Sequence, residues 1–144
     1  MAQRNITVMV GPNGKLTTID HFRAAADPGD EIIWTFHGSR GSHWIGIGDF
    51  REHPTGKAKN PTKKAYYPIA PTDPGEAKAT VKGPDDVIGL YKYRIVSIGL
   101  RKMKALTSKM CAQKKFAAQA EYVLKAMMGS DVDSELDPEV QIGG

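Results

Sequence analysis

Four histidines and one cysteine are the side chains best suited to hold a metal or act as a nucleophile in this chain: His21, His37, His43, His53 and Cys111. Imidazole suits copper, zinc and nickel alike, and the Gly/Ser/Arg loop between His37 and His43 could fold those two rings together. A histidine-based copper or zinc site centred on His43, with His37 as its neighbour, is therefore one expectation. The competing one is four unconnected histidines, with His43 held at a rim by packing or hydrogen bonding and no cofactor at all. A single cysteine excludes an internal disulfide. No Ser-His-Asp or Cys-His grouping has supporting local context. The adjacent carboxylates Asp85 and Asp86 sit in a turn signal, where solvent keeps both ionised. A non-catalytic role is expected. The acidic run Asp131 to Asp137 superficially suggests a calcium loop, but Leu136 stands where that loop requires glycine. Gly56-Lys57 lacks the upstream glycine of a phosphate loop, because Arg51 occupies that place.

Charge is distributed unevenly. The whole chain carries +4, yet residues 51–66 alone carry +4 and residues 101–128 carry +6, which leaves the remainder at −6. An acidic body with two basic segments permits an anionic partner or self-association between opposite patches. The stretch from Lys57 to Tyr67 mixes lysines with tyrosines, a combination that suits nucleic acid. Only one arginine accompanies it and the acidic remainder opposes the field, so a solvated Lys/Pro loop is expected and nucleic acid is not.

Length and composition indicate one domain over residues 1–144, with 40% hydrophobic and 25% charged residues. No run of about 18 apolar residues exists, so no transmembrane helix is expected. The start, Met1 to Val8, is strand-like and lacks an apolar signal core. A cytoplasmic protein is expected if the chain is complete, and a periplasmic or secreted one if a leader was removed.

The elements that must position these groups read as short strands. Ile6, Val8 and Val10 alternate with polar residues, and Gly11-Pro12-Asn13-Gly14 is a turn signal before a returning strand at Leu16 to Ile19. Ala24 to Asp30 leads into a strand from Glu31 to Phe36, and Trp44 to Ile47 makes another. Five prolines between Gly48 and Thr80 predict an extended, surface-wrapping connection. Strands are expected at Ala77 to Val81, at Leu90 to Val96 and, after Asp137-Pro138, around Val140 and Ile142. This pattern argues an antiparallel sandwich.

One segment departs from it. From about residue 100 to 129 the chain is dense in strong helix formers and repeats apolar residues with a helical period: Met103, Leu106, Met110, Leu124 and Met127, widened by Phe116 and Val123. The expected helix runs from 101 to 128, or begins only at Ser108. Its apolar stripe, with Lys102, Lys109 and Lys114 beside it, could attach a protein partner or a second copy. It could equally cover the chain's own sandwich.

The strand Glu31 to Phe36, entered through Gly29-Asp30, carries Trp34 and leads to His43; a later strand reads Tyr91-Lys92-Tyr93-Arg94-Ile95. In these features the chain resembles the cupredoxins, small copper-carrying β-sandwiches, over roughly residues 4–98 and 130–143. The resemblance implies an all-β, cupredoxin-like Greek-key β-sandwich with a helical insertion before the last strand. It would place the first copper ligand at His43. The family's ligand cysteine falls at Ile95 and its second histidine near Ile98, so the resemblance extends to the fold and not to a blue copper centre. The function expected is a non-catalytic binding or assembly module acting through the basic amphipathic helix.

Overall fold

The computed structural model describes residues 2–83, 87–112, 128–129 and 132–143, with the side chains of 107 and 109–112 excepted. Ten strands and one α-helix follow one another: β1 (Gln3–Val10), β2 (Leu16–Ile19), β3 (Arg23–Ala26), β4 (Glu31–Gly38), β5 (His43–Glu52), β6 (Tyr66–Ile69), β7 (Glu76–Thr80), β8 (Gly89–Gly99), α1 (Leu100–Ala112), β9 (Ser134–Leu136) and β10 (Glu139–Ile142). The strands build two sheets. The first has the order β2-β1-β4-β7, and the second β3-β10-β8-β5-β6 with β9 also on β8. β1 with β4 and β3 with β10 pair in parallel, and the other neighbours are antiparallel. Parallel neighbours cannot be joined by a hairpin, so the chain crosses between sheets as in a Greek-key sandwich.

Alternation sets the core. Ile6, Val8, Val10, Ile32, Trp34 and Phe36 face inward from the first sheet. Ile45, Ile47, Tyr91, Tyr93, Ile95, Val140 and Ile142 meet them from the second. Trp34 and Tyr93 bring polar atoms into this layer and satisfy each other, the indole Nε1–H donating to the phenol oxygen at 3.0 Å. Phe50 stacks on Tyr93 with ring centroids 5.3 Å apart. The turn before β4 is tied by Asp30, a buried carboxylate. It accepts N–H bonds from Asp27 at 2.9 Å and Ala2 at 3.0 Å, and faces Arg4 Nε at 3.1 Å. Gly29 reaches φ 88° there, the left-handed region that favours glycine.

Several expectations change in detail. Ala24 to Ala26 is a strand in its own right, because the chain leaves the first sheet after Ile19 and joins β10 in the second. β5 runs five residues past the expected end at Ile47, to Glu52, since β8 offers it a partner along most of its length. The proline-rich connection contains β6. Pro68 is accepted there because β6 is an edge strand. The acidic run after the insertion supplies β9, which the sequence pattern does not announce.

The helix begins at Leu100 and passes through Ser108, so it does not start at that serine. Its expected C-terminal half lies outside the described residues.

Candidate functional site

His43 opens β5 at one end of the sandwich. Its ring lies against Gly14: a Cβ there would sit 2.3 Å from the imidazole Cγ, and Gly14 adopts φ 72°. Nδ1 is 3.1 Å from the Arg40 carbonyl and Nε2 is 3.7 Å from Asp133 Oδ2. Asp133 is the hub of this corner. It accepts the Gly99 N–H and a bond from the Lys102 ammonium, both at 2.6 Å. The Lys102 bond, more than any other influence, holds the Asp133 carboxyl below the usual carboxylate range against its partial burial; the Gly99 N–H and the His43 ring add to it. α1 carries no acidic residue in its first turn but does carry Arg101 and Lys102, which oppose its dipole. Asp133 supplies the missing negative charge from across the insertion.

His37 is exposed, opposite Met9 in the first sheet. Ile95 and Ile98 are both fully buried, with Ile95 in the main core and Ile98 in a second apolar cluster. Among the described residues no three His, Cys, Asp or Glu groups come close enough to hold a metal ion.

That second cluster sits on the outer face of the larger sheet. Val96, Ile98, Met103 and Met128 are buried in it, with Trp44, Tyr66, Leu106 and Val132 packed around them. Even-numbered residues of β8 point outward, opposite to the Tyr91–Tyr93–Ile95 face, which explains why α1 finds an apolar floor there. Met103 and Leu106 therefore pack on the chain's own sheet. Tyr66 closes the Lys-rich connection and also touches this cluster; Lys57 to Lys59 run beside the end of β5, whereas Pro61 to Lys63 bond Thr80 and Lys82 at the end of β7 in the first sheet.

Further cations arrive on the same face through strand register. Arg23, Glu139, Lys92 and Arg51 occupy one row across β3, β10, β8 and β5. Arg23 Nε binds Glu139 Oε2 at 2.7 Å, and Arg51 lies 3.0 Å from Asp49. Arg94 pairs with Glu135 and reaches Asp49 at 3.7 Å. Lys57, Lys63, Lys64, Lys92 and Arg101 are exposed and have no carboxylate partner among the described residues. A cleft of about 260 Å³ opens between β5 and the connection, beside Lys59, Asn60 and Tyr66. Its polar groups are already engaged: Lys59 faces Glu52 at 3.5 Å, and Asn60 bonds Thr62 and the Lys64 carbonyl.

Of the residues singled out in the sequence, Lys102 is bound to Asp133, Met103 is buried and Leu106 is half-buried. The side chains of Lys109, Met110 and Cys111, and all of Lys114, Phe116, Leu124 and Met127, lie outside the described residues. Arg23, Lys92 and Arg94 were not candidates. Only strand register brings them together, and a period-two pattern alone does not supply register.

No family model and no curated protein matches the sequence. Among solved structures the chain is similar to a point variant of amicyanin in its reduced Cu(I) form at pH 4. The identity is 11%, over 96% of this chain and 82% of that one, with a TM-score of 0.35. A second amicyanin point variant, oxidized, matches at 12% identity over the same shares and with the same score.

Proposed function

We propose that this protein is a non-catalytic binding module whose contact surface is the cationic outer face of the larger sheet. The observation that supports the reading is the approach of the first turn of the basic helix (Arg101, Lys102) and of Lys57 to Lys59 to the sheet that carries Arg23, Arg51 and Lys92. α1 turns Met103 and Leu106 inward, so its contribution to a partner comes from exposed residues such as Arg101. The helix then serves as the platform that brings positive charge onto the sheet, anchored by Met103 and Leu106. Uncompensated surface lysines stabilise the fold little and attract anionic partners over about a Debye length. Partner attachment should consequently be electrostatic, fast and salt-sensitive.

A copper or zinc site centred on His43 has less support. His43 Nε2 and Asp133 offer two donors where zinc takes four, and the Lys102 ammonium already lies on that carboxylate.

The test is charge reversal by face. Lys57→Glu and Arg101→Glu combined should abolish binding to an acidic polypeptide such as poly-L-glutamate. Lys78→Glu, on the first sheet, should leave it unchanged. Equal loss from both would show that only net charge is being read, and the proposed surface would be wrong.

A further inference from the structure

Resting on that reading, we infer that the Arg23–Glu139–Lys92–Arg51 row is the specific docking line on the face, and that its occupant is an acidic protein segment rather than nucleic acid. Lys92 and Arg51 are cross-strand partners pointing to the same side. Like charges placed directly opposite one another destabilise a sheet. Asp49 relieves Arg51 alone, and Lys92 has no carboxylate partner among the described residues. An arriving carboxylate between the two would remove that repulsion, so the row is poised for an anion.

On the other side of Lys92, Glu139 is buried and holds Arg23 at 2.7 Å. The row therefore alternates sign from Arg23 through Glu139 to Lys92, before Arg51 adds a second cation. The neighbouring ridge does the same, with Arg94 between Asp49 and Glu135. Discrete cations separated by fixed carboxylates suit discrete carboxylates on a peptide. They repel a continuous phosphate backbone. The aromatic residues nearby, Trp44 and Tyr66, are half-buried against the cluster, which leaves each ring only in part open to base stacking.

Fluorescence anisotropy with a labelled oligoglutamate peptide and with single-stranded oligothymidine decides the matter. Lys92→Ala combined with Arg51→Ala should weaken peptide binding roughly 5- to 20-fold. Glu139→Gln should strengthen it about 2- to 5-fold, because it releases Arg23 and removes a repelling charge; damage to the fold would not produce a gain. Lys78→Ala should change nothing. If Lys57→Glu and Arg101→Glu weaken binding while the row variants do not, the docking line is wrong and the broader reading stands. If neither set matters, both fail. Oligothymidine binding more tightly than the peptide would overturn the partner class.

Discussion

Ser97 carries a buried hydroxyl with no hydrogen-bond partner among the described residues, on β8 next to the His43 corner. An unpaired buried donor costs about 1–3 kcal/mol, so Ser97→Ala should leave stability unchanged or raise it by up to that amount. A loss above about 1 kcal/mol in denaturant unfolding would mean that the hydroxyl is bonded after all. Tyr93 is the opposite case. Burial pushes its phenol pKa up, and its oxygen satisfies the Trp34 indole. Tyr93→Phe keeps the ring and strands that indole N–H, at an expected cost of about 1–3 kcal/mol. Asp30 links a residue to pH. Its bonds from the Asp27 and Ala2 amides, ahead of Arg4, hold its carboxyl below the ordinary value of 3.8. The unfolded chain then binds more protons below about pH 5, so this contribution is complete above the unfolded pKa and is lost as pH falls through the folded one. Asp30→Asn should flatten the acid limb of a stability–pH profile and lower the neutral plateau by about 1.5–3 kcal/mol.

Among the elements, α1 depends most on a distant residue. Asp133 offsets the adverse charge at its N-terminus and bonds both Gly99 and Lys102. Asp133→Asn should loosen the first turn, seen as faster amide exchange at Gly99 to Lys102 with β8 unaffected, for a loss of about 0.5–2 kcal/mol. Protection that stays unchanged would show the helix to be held by Met103 and Leu106 alone. The helix itself was legible from its period and composition. Its floor was not, because Val96 and Ile98 look like ordinary strand residues until β8 is seen to be apolar on both faces. β9 escaped notice for a related reason. Ser134 to Leu136 has little strand propensity, and it pairs because β8 leaves Ile95 to Ser97 free on that edge. β1, β2, β4 and the Tyr91–Tyr93 strand were readable because alternation and turn residues agree there.

For the whole molecule, charge that is segregated along the sequence is brought only in part to one sheet. Net charge in two segments was visible from residue counts, as was the expectation of an anionic partner. That Lys57 to Lys59 and the start of α1 approach the same sheet required the sheet order, which places β5, β6 and β8 together, and the packing of α1 against β8. The candidate surface was thus half legible: lysines of the connection and helix could be named, whereas Arg23 and Lys92 could not. The measurement that tests the central claim most directly is a titration of unlabelled oligoglutamate into the intact protein, followed by backbone amide chemical shifts. The account predicts changes concentrated at Arg23, Arg51, Lys57, Lys92 and Arg101, fading as salt rises. Changes centred instead on Thr7, Met9, Thr35 and His37, on the outer face of the smaller sheet, would contradict it.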